Sequence, residues 1–145
     1  MIIHYNIATL FIIFTKLIRT SNQGSALREC AKRLHAIMHF ICAINDIEEG
    51  TSKGFTIGEQ AIFVVKKDDV LHAYHNRCPH LGIELEYQED QFLDSEGALI
   101  QCSTHGALFL IDSGHCVSGP CQGDNFTIAA TKIEAGSLYL INATQ

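Results

Sequence analysis

From His39 onward the chain runs as short apolar segments separated by Gly- and Asp-bearing turns, with almost no helical period. Residues 61–66 and 70–74 flank Lys67-Asp68-Asp69 as a hairpin. Residues 98–101 follow a turn at Asp94-Ser95-Glu96-Gly97. Residues 108–111 and 116–118 flank Asp112-Ser113-Gly114, and residues 127–133 and 138–141 flank Glu134-Ala135-Gly136-Ser137. Successive hairpins of this kind predict an all-β fold, an antiparallel β-sandwich.

The first 37 residues follow a different pattern. Residues 7–14 form an apolar run, but His4, Asn6 and Lys16 interrupt the stretch around it. A membrane-spanning helix needs about 20 mostly apolar residues, and a signal peptide carries its positive charge before the apolar stretch. Here Lys16 and Arg19 follow it. Leu27, Cys30, Ala31, Leu34, Ile37 and Met38 recur at helical spacing, with Ser25 placed to cap. The chain therefore divides into an N-terminal extension, residues 1–37, and one domain, residues 38–145.

Charge follows the same division. Residues 1–37 hold five basic groups against one acidic, and residues 38–145 hold five against fifteen. So acidic a domain repels nucleic acid and suits a basic protein partner. Neither a nucleic acid nor a membrane is an expected partner.

The chemistry lies in two short segments. Cys78-Pro79-His80-Leu81-Gly82 and Cys102-Ser103-Thr104-His105-Gly106 each offer one Cys and one His, as C-x-H and C-x-x-H, with 21 residues between His80 and Cys102. Two thiolates and two imidazoles suit a tetrahedral zinc ion or a pair of irons that divide them two and two. Structural zinc sites usually pair like ligands, so alternation of Cys and His within each segment favours the irons. Glycine closing each segment lets the backbone fold around a buried inorganic core without a Cβ clash. His4, His35, His39, His72, His75 and His115 are read as structural or exposed. Cys30 and Cys42 stand alone in sequence. Cys116 and Cys121 are close enough to invite a bridge, but packed thiols are the expectation, since short spacing alone proves nothing.

These segments resemble the ligand loops of Rieske proteins, and the resemblance covers residues 39–141. His39-Phe40-Ile41-Cys42-Ala43 resembles the opening strand of Rieske ferredoxins. Met38 stands directly before it, so a native start at Met38 is one expectation for the origin of the extension. The resemblance implies one [2Fe–2S] cluster, its inner iron held by Cys78 and Cys102 and its outer iron by His80 and His105. It also implies that Val117-Ser118-Gly119-Pro120 is a covering loop, and that Leu81, Gly82, Gly106 and Pro120 shield the cluster.

The departures are informative too. Rieske proteins of respiratory and photosynthetic complexes bridge their ligand loops with two further cysteines, where this chain has Ile83 and Thr104. They also place hydroxyl donors where this chain has Ala107 and Phe109. Hydrogen bonds to the cluster are a main lever on its potential, so their loss points to about −150 mV, the low end of the Rieske range. Glu84, Glu86, Glu89, Asp90, Asp94 and Glu96, with no Lys or Arg among them, push the same way.

The function implied is that of a soluble, cytoplasmic, low-potential one-electron carrier, not an enzyme, with no small-molecule substrate at the cluster. Its implied partners are a flavin-containing reductase and an oxygenase or similar acceptor. A small Rieske subunit of a larger redox enzyme, as in assimilatory nitrite reductases, is the nearest alternative. A zinc-holding or metal-free interaction module is the alternative of another class.

Overall fold

A computed structural model describes residues 37–142. The elements run β1 Ile37–Ala43, a single 3-10 turn Ile44–Asp46, β2 Ser52–Ile57, β3 Gln60–Lys67 and β4 Val70–His75. After a long irregular stretch come β5 Ile100–Gln101, β6 Leu108–Phe109, β7 Cys116–Ser118, β8 Thr131–Glu134 and β9 Ser137–Asn142. They form three small sheets, in the orders β1-β9-β8, β2-β3-β4 and β5-β6-β7, with every pairing antiparallel.

β3 explains the arrangement. Its run Ile62-Phe63-Val64-Val65 is fully buried, although strand side chains point alternately to opposite faces. Ile62 and Val64 enter one core with Ile41, Ile47, Ala73, Leu138 and Leu140. Phe63 and Val65 enter a second core with Tyr74, Phe92, Phe109, Phe126 and the cysteines Cys78, Cys102, Cys116 and Cys121. A strand covered on both faces reads as a continuous apolar run, and burying each of these side chains is worth about 2 kcal/mol. In the second core Phe63 stacks on Phe92 at 4.6 Å between ring centroids, and Phe109 meets Phe126 at 4.0 Å.

The hairpins follow their turn chemistry. Asp68 and Asp69 adopt φ of 53° and 60°, the left-handed pair that a two-residue hairpin demands. The Glu49 carboxylate accepts both of their amides, at 2.6 and 3.1 Å.

Three expectations change. β2 is an additional strand, whose Ser-Lys-Gly-Phe-Thr-Ile run lacks clean alternation. Residues 127–130 are not strand. They hand over between sheets instead: the His75 amide donates to Thr127 O, Ala129 N to Ala73 O, and Ile141 N to Ala130 O. Ile37 and Met38, expected at the end of a helix, lie in β1 because they pair with Asn142 and Ile141. The rest of that helix and of the N-terminal extension fall outside the described residues. Among the described residues no helix is long and apolar enough to cross a membrane.

Candidate metal centre

The two ligand segments fold into matching loops. In the first, the Cys78 amide donates to Ile83 O at 2.7 Å and the Gly82 amide to Cys78 O at 2.7 Å. In the second, the Cys102 amide donates to Ala107 O at 2.9 Å and the Gly106 amide to Cys102 O at 2.9 Å. Each cysteine thus bonds to the fourth and fifth residues beyond it. Gly82 and Gly106, the fourth residues, have φ of 68° and 67°, where any other L-residue costs about 1–2 kcal/mol.

Leu85 ties the loops together. Its carbonyl accepts the Ser103 amide at 2.8 Å and the Ser103 hydroxyl at 2.6 Å. Its amide donates to Asn76 Oδ1 at 3.0 Å, and Asn76 Nδ2 donates to both Glu86 carboxylate oxygens, at 3.1 and 2.8 Å. Asn76 is buried with this partnership complete, as a buried polar side chain requires. No sequence signal marked Asn76.

The donors separate by depth. Cys78 and Cys102 are 2% and 1% exposed, whereas His80 and His105 are exposed. The imidazole centroids lie 5.0 Å apart, edge to face at 79°. Burial pushes the Cys78 thiol up, and the neighbouring Cys102 adds to that, while the backbone at His80 and the thiol of Cys121 pull it down. A buried Cys78 thiol that resists ionising suits a site where metal displaces its proton. Among the described residues no three Cys, His, Asp or Glu side chains converge on one ion position. The four donors are instead a buried sulfur pair and an exposed nitrogen pair, which fits a two-iron group with unlike ends.

A third loop backs the second. A Cβ on Gly119 (φ 109°) would lie 2.8 Å from Ala107 Cα and 2.9 Å from Ala107 Cβ, so the segment before Pro120 packs against the residue that follows Gly106. Leu81, Gly82, Gly106 and Pro120 are all exposed, Leu81 at 59%.

The Rieske [2Fe-2S] domain family model matches residues 37–133. The chain belongs to this family. The Rieske cofactor is one [2Fe–2S] cluster. The ferredoxin component of the alkene monooxygenase system of Xanthobacter autotrophicus is 31% identical over 78 residues, which are 54% of this chain and 61% of that protein. Apoptosis-inducing factor 3 of Homo sapiens is 29% identical over 100 residues, 69% of this chain and 16% of that one. The ferredoxin of carbazole 1,9a-dioxygenase from Nocardioides aromaticivorans IC177 shares the fold, with a TM-score of 0.59, 17% identity, and coverage of 72% of this chain and 97% of that one.

The Rieske domain also revises the acidic run. Glu86 is held by Asn76; Asp90 Oδ1 accepts the Gly54 amide at 2.8 Å; Asp94 Oδ1 accepts the Ala98 and Leu99 amides at 2.8 and 3.2 Å. Half of the run is structural, leaving Glu84, Glu89 and Glu96 exposed to solvent. Cys116 and Cys121 are free, buried, and 3.1 Å apart at sulfur. Burial pushes the Cys121 thiol up to about 12, with Cys116 and Cys78 adding to it.

Proposed function

We propose that this Rieske domain is a one-electron carrier, with Cys78 and Cys102 on the inner iron of its cluster and His80 and His105 on the outer iron. One observation carries the reading: two loops of the same hydrogen-bonded shape bury both cysteines and leave both imidazoles in solvent, side by side. When bound, the cluster supplies a centre that takes up and gives back single electrons. The protein's own residues hold it and set its exit. The histidine rings form the short route to a docked partner, and the buried sulfurs keep water from the inner end. With protein donors on all four ligand positions, no open site remains for substrate, so the domain is a carrier and not a catalyst.

Leu81, Gly82, Gly106 and Pro120 surround this tip as its shielding residues. The partners are redox proteins, a reductase on the donor side and an oxygenase or similar acceptor on the other. The name of the Xanthobacter relative, a ferredoxin component of a monooxygenase system, supports this. So does a fold neighbour with a TM-score of 0.58, solved as a complex of reduced oxygenase and oxidised ferredoxin. Glu84, Glu89 and Glu96 would steer the tip toward basic surfaces, with a rate that falls as salt rises.

The test is anaerobic preparation, dithionite reduction and electron paramagnetic resonance, beside an iron, sulfide and zinc count. A Rieske signal with two irons and two sulfides per chain is expected. Zinc, or no metal and no signal, would remove this function and leave the β-fold standing. A second reading, a small Rieske subunit of a larger redox enzyme, draws on the carnitine monooxygenase oxygenase subunit of Acinetobacter baumannii, 28% identical over 142 residues that are 36% of that protein. Gel filtration of the chain alone separates the two, since a stable, cluster-loaded species supports the free carrier.

A further inference from the structure

The acidic character of the domain has one exception at the cluster end. Arg77 is the only Lys or Arg between Lys67 and Lys132, a stretch that carries both ligand loops and the whole acidic run. It stands directly before Cys78 and folds back over the first loop. Its Nε donates to Gly82 O at 3.2 Å, and the Gly82 amide donates to Cys78 O at 2.7 Å. The guanidinium lies across Gly82, where a Cβ would sit 3.1 Å from Nε, 3.7 Å from Nη2 and 3.8 Å from Cζ. The second loop has no such clasp. Neutral Gln101 precedes Cys102, and a Cβ on Gly106 would meet nothing within 4 Å.

The charge of Arg77 is not cancelled by a partner. It shares a cleft beside the loop with Glu59 and Glu84. Among the described residues, however, the one ion pair joins Lys132 to Glu134. We propose that Arg77 serves the cluster in two separable ways, its fork clasping the first ligand loop and its positive charge favouring the reduced state.

Reduction adds one negative charge to the cluster, and a fixed cation nearby lowers the energy of that state. Arginine suits both tasks. It stays charged at every working pH, and its rigid planar fork lies flat where a flexible ammonium would swing. Glu84, exposed in the same cleft, acts in the opposite sense. No proton moves and no bond forms or breaks. Arg77 is thus a positioning residue that also offsets part of the acidic run. The two roles need different chemistry, so substitution can part them: Lys keeps the charge without the fork, and Gln keeps an N–H donor without the charge.

This inference rests on the carrier reading, so the first measurement is the resonance signal and the iron and sulfide count of the unmodified protein. Failure there removes both. Given a cluster, midpoint potentials and the rate of iron loss to a chelator are compared for the unmodified protein, R77K, R77Q, R77E and E84Q. At a fixed potential the reduced-to-oxidised ratio should fall about twofold in R77Q and about fourfold in R77E. E84Q should raise it. Salt at about 1 M, which confines unscreened interaction to about 3 Å, should shrink all three differences. R77K should keep the unmodified ratio and lose iron faster.

A ratio unchanged in R77Q, or a fall in R77K equal to that in R77Q, overturns the proposal and leaves the carrier intact. So does iron loss from R77K as slow as from the unmodified protein, because the fork would then hold nothing. Should R77Q and R77E fail to keep a cluster, R77K decides, and a ratio below the unmodified value overturns the charge role.

Discussion

The two ligand loops share one frame but not one set of supports. Each closes with the same pair of backbone hydrogen bonds and a left-handed glycine at the fourth position. Yet histidine is second after cysteine in the first loop and third in the second. The frame therefore requires Cys and Gly at fixed spacing, while the imidazole can leave from either intervening position. The supports differ as well. The first loop leans on Asn76 and on Arg77, whose Nε donates to Gly82 O at 3.2 Å. The second leans on Ser103 and on the third loop at Gly119. Matching shape comes from local hydrogen bonds, and each loop's stability from what lies behind it.

Removing the shared element should have the largest effect. C78S and C102S should each lose bound iron and sulfide entirely, and to the same degree; a cluster retained by either would break the proposed ligand assignment. Next, G119A forces a methyl onto the Ala107 backbone and should cost about 3 kcal/mol, read by urea unfolding and felt first in the second loop. On the first-loop side, N76A frees the buried Leu85 amide and the Glu86 carboxylate, for about 2 kcal/mol.

The two glycines sharpen the comparison further. A Cβ on Gly106 meets nothing within 4 Å, whereas one on Gly82 lies 3.1 Å from Arg77 Nε. Both alanine variants should lose about 1 kcal/mol to backbone strain, with G82A the worse by the displaced arginine. Equal losses would show that Arg77 supports nothing.

A further effect concerns pH. Burial first, and Asp112 second, push the Tyr74 hydroxyl from 10 up to about 12, and its proton is donated to Ile111 O at 2.8 Å. A raised pKa means that the stability tied to the neutral group is intact below pH 10 and lost as pH climbs toward 12. The denaturation midpoint should fall through that window, and Y74F should flatten the fall.

Much of this was legible because it is local. The ligand loops, their glycines and the hairpins at Asp68-Asp69 and Ala135-Gly136 are written in a few consecutive residues, whose φ requirements leave little choice. The tie between Ser103 and Leu85 spans 18 positions and ends on a carbonyl, which no side chain advertises. Asn76 looked like any loop asparagine. β2 escaped because Gly54 interrupts its pattern. The acidic run is only half legible for the same reason: whether a carboxylate faces solvent or caps a turn depends on amides that come to it through the fold.

β3 carries a consequence for how the protein comes apart. A strand that walls two cores cannot be withdrawn from one alone. Loosening the cluster end with heat or denaturant would also strip Ile62 and Val64 from the far core, so melting is expected as one cooperative transition rather than a fraying tip. The same sharing works in the opposite sense during assembly: whichever core forms first sets β3 for the other, so the two are expected to form together.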